Sequence, residues 1–387
     1  MSVSATEDRR VAALHELALL DTAPEHRFDR VTRLAQQLFD VPMASIAFAD
    51  ADRLWRKSLQ GPLPQQNPRP DSPCEITLAD ADTVVIEDAR TDDRISSNPY
   101  VLDEPGLRFY AGRRLLAPGG EPIGTFCIMD MRPRPMTPLE VEPLTDLAGW
   151  VQGELVRSQE LDAAGAVQRG LLPRRTPDIP GWEMAGLCVQ ARGVGGDFYD
   201  WYQTPQGSWQ FTMADVMGKG MGAALIAATT RAVLRGSARS RDLGDGFRAA
   251  ASLLDLDLSE SGTFVTALHG RFDPQSGQLD HVDAGHGLAL HVRADGSWRH
   301  LASGSLPLGV DADEAWVAQH LQLEPGDLFL CGSDGLLEIF DDLRAGAAAV
   351  VAAARTGAEQ AVRYVAERAS GDHLADDVSL LVIRRLP

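Results

Sequence analysis

Four short segments in the C-terminal half of the sequence carry aspartates that could act together. They are Gly195-Gly196-Asp197-Phe198-Tyr199-Asp200, Ala214-Asp215-Val216-Met217-Gly218-Lys219-Gly220, Ser333-Asp334-Gly335 and Asp376-Asp377-Val378-Ser379. Each aspartate ends an apolar run or sits on a glycine-rich corner, where strands finish and side chains can converge. Carboxylate oxygens gathered at such a place suit hard divalent cations. Ser333-Asp334-Gly335 alone reads as an ordinary turn, because Asp-Gly is a common turn dipeptide. The four segments in this order are far more specific, with a small-residue helix after the second and an Ala284-Gly285-His286 corner between the second and third.

The elements that must position these aspartates are mostly strands. From Trp182 onward strand signals dominate, with hairpins at Asp273-Pro274-Gln275-Ser276-Gly277 and Ala294-Asp295-Gly296-Ser297. Helix-like runs interrupt them at Met221 to Leu234 and Leu343 to Ala369. The first part of the chain, about residues 9 to 135, alternates helix and strand signals. Val11, Leu14, Leu17 and Leu20 fall at helical spacing, as do Phe28, Val31, Leu34, Ala35 and Leu38. Strand-like runs follow at Met43 to Ala49, Leu54 to Leu59, Thr83 to Ile86, Arg113 to Leu116 and Ile123 to Met129. This is an α+β pattern with an antiparallel sheet.

Between the two regions, Thr137-Pro138-Leu139-Glu140 has the order of a capping box. Leu144, Leu147, Val151 and Leu155 then form one apolar stripe on a helix. The stripe serves either as the seam of a homodimer through this linker helix or as a face packed on its own domain. Pro143, Gly149, Gly153 and Gly165 count against a stiff rod. The expected organisation is three segments: 1–137, a helical linker over 138–172, and 173–387.

Length and composition bound the function. A chain of 387 residues, 44% hydrophobic, can bury two cores. No apolar stretch approaches the roughly 20 residues needed to cross a bilayer, and the polar start lacks a signal peptide's apolar core. A cytoplasmic protein is expected. A formal charge of -19 argues against nucleic acid and anionic membranes as partners. Cys74, Cys127, Cys188 and Cys331 form no CxxC pair, so four packed thiols are expected and neither a disulfide framework nor structural zinc. Lys57 and Lys219 are the only lysines. Lys219, on the Gly218-Lys219-Gly220 corner, is either a phosphate or backbone ligand or a solvated cation.

These motifs resemble a known family. From about Leu172 on, the sequence is similar to the metal-dependent PPM serine/threonine phosphatases, in the bacterial branch that includes the sporulation phosphatase SpoIIE and the stress-response phosphatase RsbU. Gln168-Arg169-Gly170-Leu171-Leu172-Pro173, Gly218-Lys219-Gly220-Met221-Gly222-Ala223-Ala224-Leu225, Thr263-Phe264-Val265-Thr266, Leu306-Pro307-Leu308-Gly309 and Glu324-Pro325-Gly326-Asp327 carry the resemblance alongside the aspartates. It implies a β-sandwich of two antiparallel sheets covered by helices, with two Mn²⁺ or Mg²⁺ ions at one end. Asp197, Asp215, Asp334 and Asp376 then resemble the carboxylate ligands and Val216 the carbonyl ligand, with Asp215 bridging. Asp200 and Asp377 are expected to support them.

Met217 stands where the eukaryotic branch has a histidine, so the leaving-group acid is unassigned. His286 either fills that role or fixes its own corner.

The N-terminal part resembles a GAF sensor domain through Leu20-Asp21-Thr22-Ala23-Pro24-Glu25, Glu87-Asp88-Ala89-Arg90, Arg108-Phe109-Tyr110-Ala111-Gly112 and Pro122-Ile123-Gly124-Thr125-Phe126-Cys127. This implies a ligand-cupping fold with the ligand open. Cys74 is read there as a packed thiol in preference to a chromophore attachment point.

Together the resemblances imply hydrolysis of phosphoserine or phosphothreonine by metal-activated water. The partner would be a phosphorylated regulatory protein, by family analogy an anti-sigma-factor antagonist. The competing functions are a pseudophosphatase acting as a ligand-controlled binding module and hydrolysis of a small phosphorylated metabolite.

Overall fold

The computed structural model describes residues 3–79, 83–104, 106–340, 342–370 and 374–387. The chain separates into two compact units, Met1–Glu160 and Leu161–Pro387, divided inside one long helix.

Unit 1 begins with α1 (Val3–Glu16) and α2 (His26–Leu38). An antiparallel six-stranded sheet follows, made of β1 (Met43–Ala49), β2 (Arg53–Gln60), β3 (Gln66–Pro68), β4 (Thr83–Ile86), β5 (Phe109–Leu116) and β6 (Pro122–Asp130). Its order is β3-β2-β1-β6-β5-β4. The central strand β1 is buried along its whole length, because helices cover both of its faces. Phe28, Val31 and Ala35 of α2 pack on one face with Leu14 of α1. The short helices α3 (Cys74–Ala79) and α4 (Pro99–Leu102) cover the other.

The helix α5 (Pro138–Leu171) is continuous, with Pro143 inside it. Its start is half of the expected capping box. The Glu140 carboxylate accepts the Thr137 backbone N–H at 2.7 Å and the Thr137 hydroxyl at 2.8 Å. The apolar stripe corrects one expectation. Leu144, Val151 and Leu155 are buried in the core of unit 1 beside Phe28 and Phe48, with Leu147 packed against it. Fully burying one such side chain contributes about 1.5–3 kcal/mol. These residues therefore serve their own sheet and give no homodimer seam.

Unit 2 is a sandwich of two open five-stranded sheets, as the sequence implied. One sheet contains β8 (Phe198–Gln203), β9 (Trp209–Val216), β10 (Val265–Phe272), β11 (Gln278–Ala284) and β14 (Gln319–Gln322), in the order β14-β11-β10-β9-β8. The other contains β7 (Trp182–Val189), β12 (Ala289–Val292), β13 (Trp298–Leu301), β15 (Leu328–Gly332) and β16 (Val378–Arg385), in the order β13-β12-β15-β16-β7. Phe211, Met213, Leu268 and Phe272 of the first sheet meet Met184, Phe329, Leu381 and Ile383 of the second in one core.

Helices α6 (Met221–Gly236) and α7 (Leu243–Ser261) cover the outer face of the first sheet. Helices α8 (Leu343–Thr356) and α9 (Ala358–Arg368) cover the second. The single helix expected over Leu343 to Ala369 is thus two, broken at Gly357. Helix α7 was not expected, although Phe247, Ala250, Leu254 and Leu258 recur on its buried face. Asp242 caps its start and Gly262, at φ +62°, ends it.

Candidate functional site

The four aspartates come from strand ends at one edge of the sandwich. Asp197 precedes β8, Asp215 is the penultimate residue of β9, Asp334 follows β15, and Asp376 precedes β16. Strands β8 and β9 pair side by side, with Phe198 opposite Ala214. Strands β15 and β16 pair in the facing sheet, with Gly332 opposite Leu380. Short loops at the same end of adjacent strands therefore deliver residues far apart in sequence to one place.

Asp377 ties these loops together. Its carboxylate accepts the backbone N–H of Ala191 at 2.9 Å and of Asp197 at 3.3 Å. Its own carbonyl accepts the Ser333 hydroxyl at 3.1 Å, and Ser333 Oγ in turn accepts the Ser379 N–H at 2.9 Å. These close approaches explain two glycines. A Cβ at Gly195 would lie 1.8 Å from Asp377 Oδ2, and one at Gly335 would lie 2.0 Å from the Asp377 carbonyl oxygen. The glycines of Gly-Gly-Asp and Ser-Asp-Gly thus make room for a carboxylate and a backbone that hold the other loops.

Asp197 is 2% exposed, and its Oδ2 has no hydrogen-bond partner. Burial, followed by repulsion from Asp215, holds its carboxyl well above the usual carboxylate range. Asp215 is pushed up to about 6, first by burial and then by Asp334 and Asp376. Val216 is buried, and its carbonyl faces the preceding loop: a Cβ at Gly196 would stand 2.6 Å from that oxygen. Asp334 is exposed at the start of its turn, and Asp376 is half-buried.

As placed, no group of three or more His, Cys, Asp or Glu side chains among the described residues is arranged to hold a metal ion. The donor set nevertheless fits a hard cation. It is entirely oxygen, it holds an orphaned buried carboxylate oxygen, and its members raise one another's affinity for positive charge.

The supporting residues divide by what they touch. Asp200, 2% exposed, faces away from the cluster towards α6, where Arg231 and Arg235 pair with it at 3.2 and 3.4 Å. Lys219 is neither a lone solvated cation nor remote from the cluster. Its Nζ lies 2.7 Å from Asp376 Oδ2 and 2.5 Å from the Ala375 carbonyl, which raises its own pKa. Gly218, at φ +104°, shapes the turn between β9 and α6 that carries Lys219.

His286 bridges the sheets. One ring nitrogen meets Thr266 Oγ1 at 3.2 Å and the other meets the Gly332 carbonyl at 3.0 Å. Thr266 is the register partner of Asp215, and Gly332 lies two residues before Asp334. Burial lowers the His286 pKa, so the neutral ring donates from Nε2 to Gly332 and accepts at Nδ1. This is a positioning role, with both nitrogens engaged.

Two further residues of the site carried no sequence expectation of a role. Asp283 accepts the His286 N–H at 2.7 Å and the Gly287 N–H at 3.0 Å, and so shapes the Ala284-Gly285-His286 corner. Gln168, on the last turns of α5, grips Gly195 from both sides. It donates to the Gly195 carbonyl at 2.7 Å and accepts the Gly195 N–H at 3.1 Å. An aspartate just before an Ala-Gly-His corner and the Gln168-Arg169-Gly170-Leu171-Leu172-Pro173 motif at the helix end were the available signals.

Comparison with known proteins places two families along the chain. The family described as Stage II sporulation protein E (SpoIIE) matches residues 205–386, and the family described as GAF domain matches residues 23–155. Asp215, Asp334 and Asp376 fall inside the first match, and Asp197 lies just before it. Among curated proteins, the chain is 33% identical over 150 residues to a cyclic di-GMP phosphodiesterase of Pseudomonas aeruginosa, covering 38% of this chain and 26% of that protein. It is 25% identical over 185 residues to the phosphoserine phosphatase RsbU of Bacillus subtilis, covering 46% of this chain and 53% of that protein. It thus spans between about a quarter and about a half of these relatives' lengths. A solved structure of the RsbU and RsbW domains of a Mycobacterium tuberculosis protein overlays with a TM-score of 0.47 at 26% identity, covering 54% of this chain and 63% of that one. Among the described residues, no helix is long and apolar enough to cross a membrane.

Proposed function

We propose that this chain, which joins a GAF domain to a domain of the SpoIIE family, is a metal-dependent phosphatase acting on phosphoserine or phosphothreonine of a regulatory protein. The observation that carries this is the gathering of Asp197, Asp215, Asp334 and Asp376 at one edge of the sandwich, where a buried carboxylate oxygen has no partner and Asp215 is raised to about 6. Four carboxylates with Lys219, on Asp376, as the compensating charge described at the cluster call for further cations.

In this proposal Asp197, Asp215, Asp334, Asp376 and the Val216 carbonyl would hold two Mg²⁺ or Mn²⁺ ions. Such a pair, when bound, supplies a water of lowered pKa and neutralises charge on the phosphoryl group. The protein's own residues do the rest. Asp377 sets the backbone that presents Asp197. His286 holds the turn that carries Asp334 against the strand beside Asp215. Lys219 anchors Asp376 and its backbone, and Asp200 fixes α6 through Arg231 and Arg235. The attacking group in this proposal is water, so no phosphoenzyme is expected.

The substrate is proposed as a phosphorylated anti-sigma-factor antagonist. The support is similarity to a relative named phosphoserine phosphatase and the presence of a GAF domain that can receive a signal.

The test is hydrolysis of a phosphoserine protein and of an aryl phosphate with Mn²⁺ or Mg²⁺, in wild type and in Asp215→Asn. We expect turnover that chelator abolishes, lower by about a hundredfold or more in the variant, and a phosphoprotein preferred over free phosphoserine. Full activity in Asp215→Asn would remove the two-metal site. Silence of the metal-loaded wild type towards every phosphoprotein would favour a binding module.

A further inference from the structure

Two of the four cysteines meet inside unit 1. Cys74 opens α3 and Cys127 lies in β6, 53 positions away, yet their Sγ atoms are 3.9 Å apart with both side chains buried. A disulfide requires about 2.05 Å between sulfurs. The gap closes by roughly 2 Å, a movement within reach of side-chain rotation and a small shift of a two-turn helix.

The pair lies in an apolar core, with polar groups standing beside it. Arg56 is 4% exposed, and its Nε has no hydrogen-bond partner, so a buried guanidinium stands nearby without full compensation. Contact with Cys127, aided by Thr125, Ser72 and the Arg56 charge, lowers the Cys74 thiol to about 6, while Cys127 is raised. With the sulfurs 3.9 Å apart, a thiol oxidised at one position has the other at hand to resolve it. A cavity of about 190 Å³ lies alongside, lined by Arg56, Leu63, Pro73, Leu107 and Met129 among others. It reaches the chain at Pro73, one residue before Cys74, and at Met129, two residues after Cys127 on the same strand face, while both sulfurs stay buried behind it. The other two cysteines, Cys188 on β7 and Cys331 on β15, are separated by β16.

We propose that Cys74 and Cys127 are a redox modification site, forming a reversible disulfide on exposure to a small hydroperoxide. The Cys74 thiolate attacks one peroxide oxygen. An S–O bond forms and the O–O bond breaks, so sulfur is oxidised to sulfenic acid and the departing oxygen leaves as hydroxide, protonated to water. Cys127 then attacks that sulfur. The S–S bond forms, the S–O bond breaks, and hydroxide leaves with the Cys127 proton as a second water. Two thiols and one hydrogen peroxide thus yield one disulfide and two waters, and an external dithiol reverses the change by exchange. The bond ties α3 to β6 beside the cavity.

The experiment treats the full-length protein with a small excess of hydrogen peroxide, then alkylates it after denaturation and maps its peptides. The expected result is a fall from four alkylatable thiols to two, a peptide linking Cys74 to Cys127, and recovery with dithiothreitol. In Cys127→Ala, a sulfenic acid should instead be trapped at Cys74 by dimedone. Four remaining thiols in peroxide-treated wild type, or a crosslink through Cys188 or Cys331, overturns the proposal. The wild-type peptide map decides it even if a variant fails to fold.

Discussion

Lys57 in unit 1 and Asp197 in unit 2 are both buried ionisable groups at a sheet, and their surroundings treat them in opposite ways. The Lys57 side chain is wholly buried, and its ammonium meets Thr22 Oγ1 at 2.5 Å, the Ala23 carbonyl at 2.8 Å and the Glu25 carboxylate at 2.6 Å. Every donor of that group is used inside the protein. Asp197 has one oxygen with no partner and carboxylates for neighbours. Burying a charge is tolerable when it is paired and bonded, and costly when it is not. The first arrangement fastens a loop to β2. The second leaves a buried carboxylate oxygen uncompensated at a strand end, the arrangement that the proposed cations would relieve.

The contrast is breakable, beginning with the largest effect. Lys57→Ala removes the ammonium from Glu25, which keeps Arg27, and from two acceptors on the Thr22–Ala23 loop, so unit 1 should lose about 1.5–3 kcal/mol, the usual worth of hydrogen bonds to a charged group. Hydrogen exchange of β2 amides, read beside those of β9, checks it. Equal acceleration in both units would mean that the pair does not act locally.

Gln168→Ala sharpens the comparison from the other side, because it removes a clamp and not a charge. Loss of its bonds to Gly195 should lower kcat about tenfold with KM little changed, an effect typical of residues that orient ligands. A change confined to KM would mean that Gln168 touches substrate and does not position the Asp197 loop.

The smallest expected effect has the opposite sign. Asp197→Asn should stabilise unit 2 by about 1 kcal/mol in chelator at a pH above the raised Asp197 pKa, where it removes an unpaired buried charge, and the gain should vanish as the pH falls through that pKa. The same variant should lose the rise in Tm that Mn²⁺ gives the wild type. A destabilised variant in chelator would show that the Asp197 charge is satisfied in the fold.

Much of this was legible in the residues. Hairpin chemistry at Asp273 to Gly277 and Ala294 to Ser297, and alternation along the strands, are local signals, and the strands formed there. The aspartates could be singled out because each is embedded in a short motif whose glycines are visible beside it. Helix α7 shows a limit of reading. Its apolar periodicity lies among strand signals on both sides, and Asp242 and Gly262 cap it in the fold.

The sequence by itself determined the element types, the oxygen-only donor set and the two family signatures, because those depend on neighbours along the chain. Tertiary structure alone decided which surface each element covers and which distant groups meet. An apolar stripe such as Leu144, Val151 and Leu155 specifies that it will be buried and not by what; the fold laid it on its own sheet. Lys219 met Asp376, Gln168 met Gly195 and Cys74 met Cys127 because strand pairing and helix packing brought together residues whose separation along the chain carries no information about distance in space.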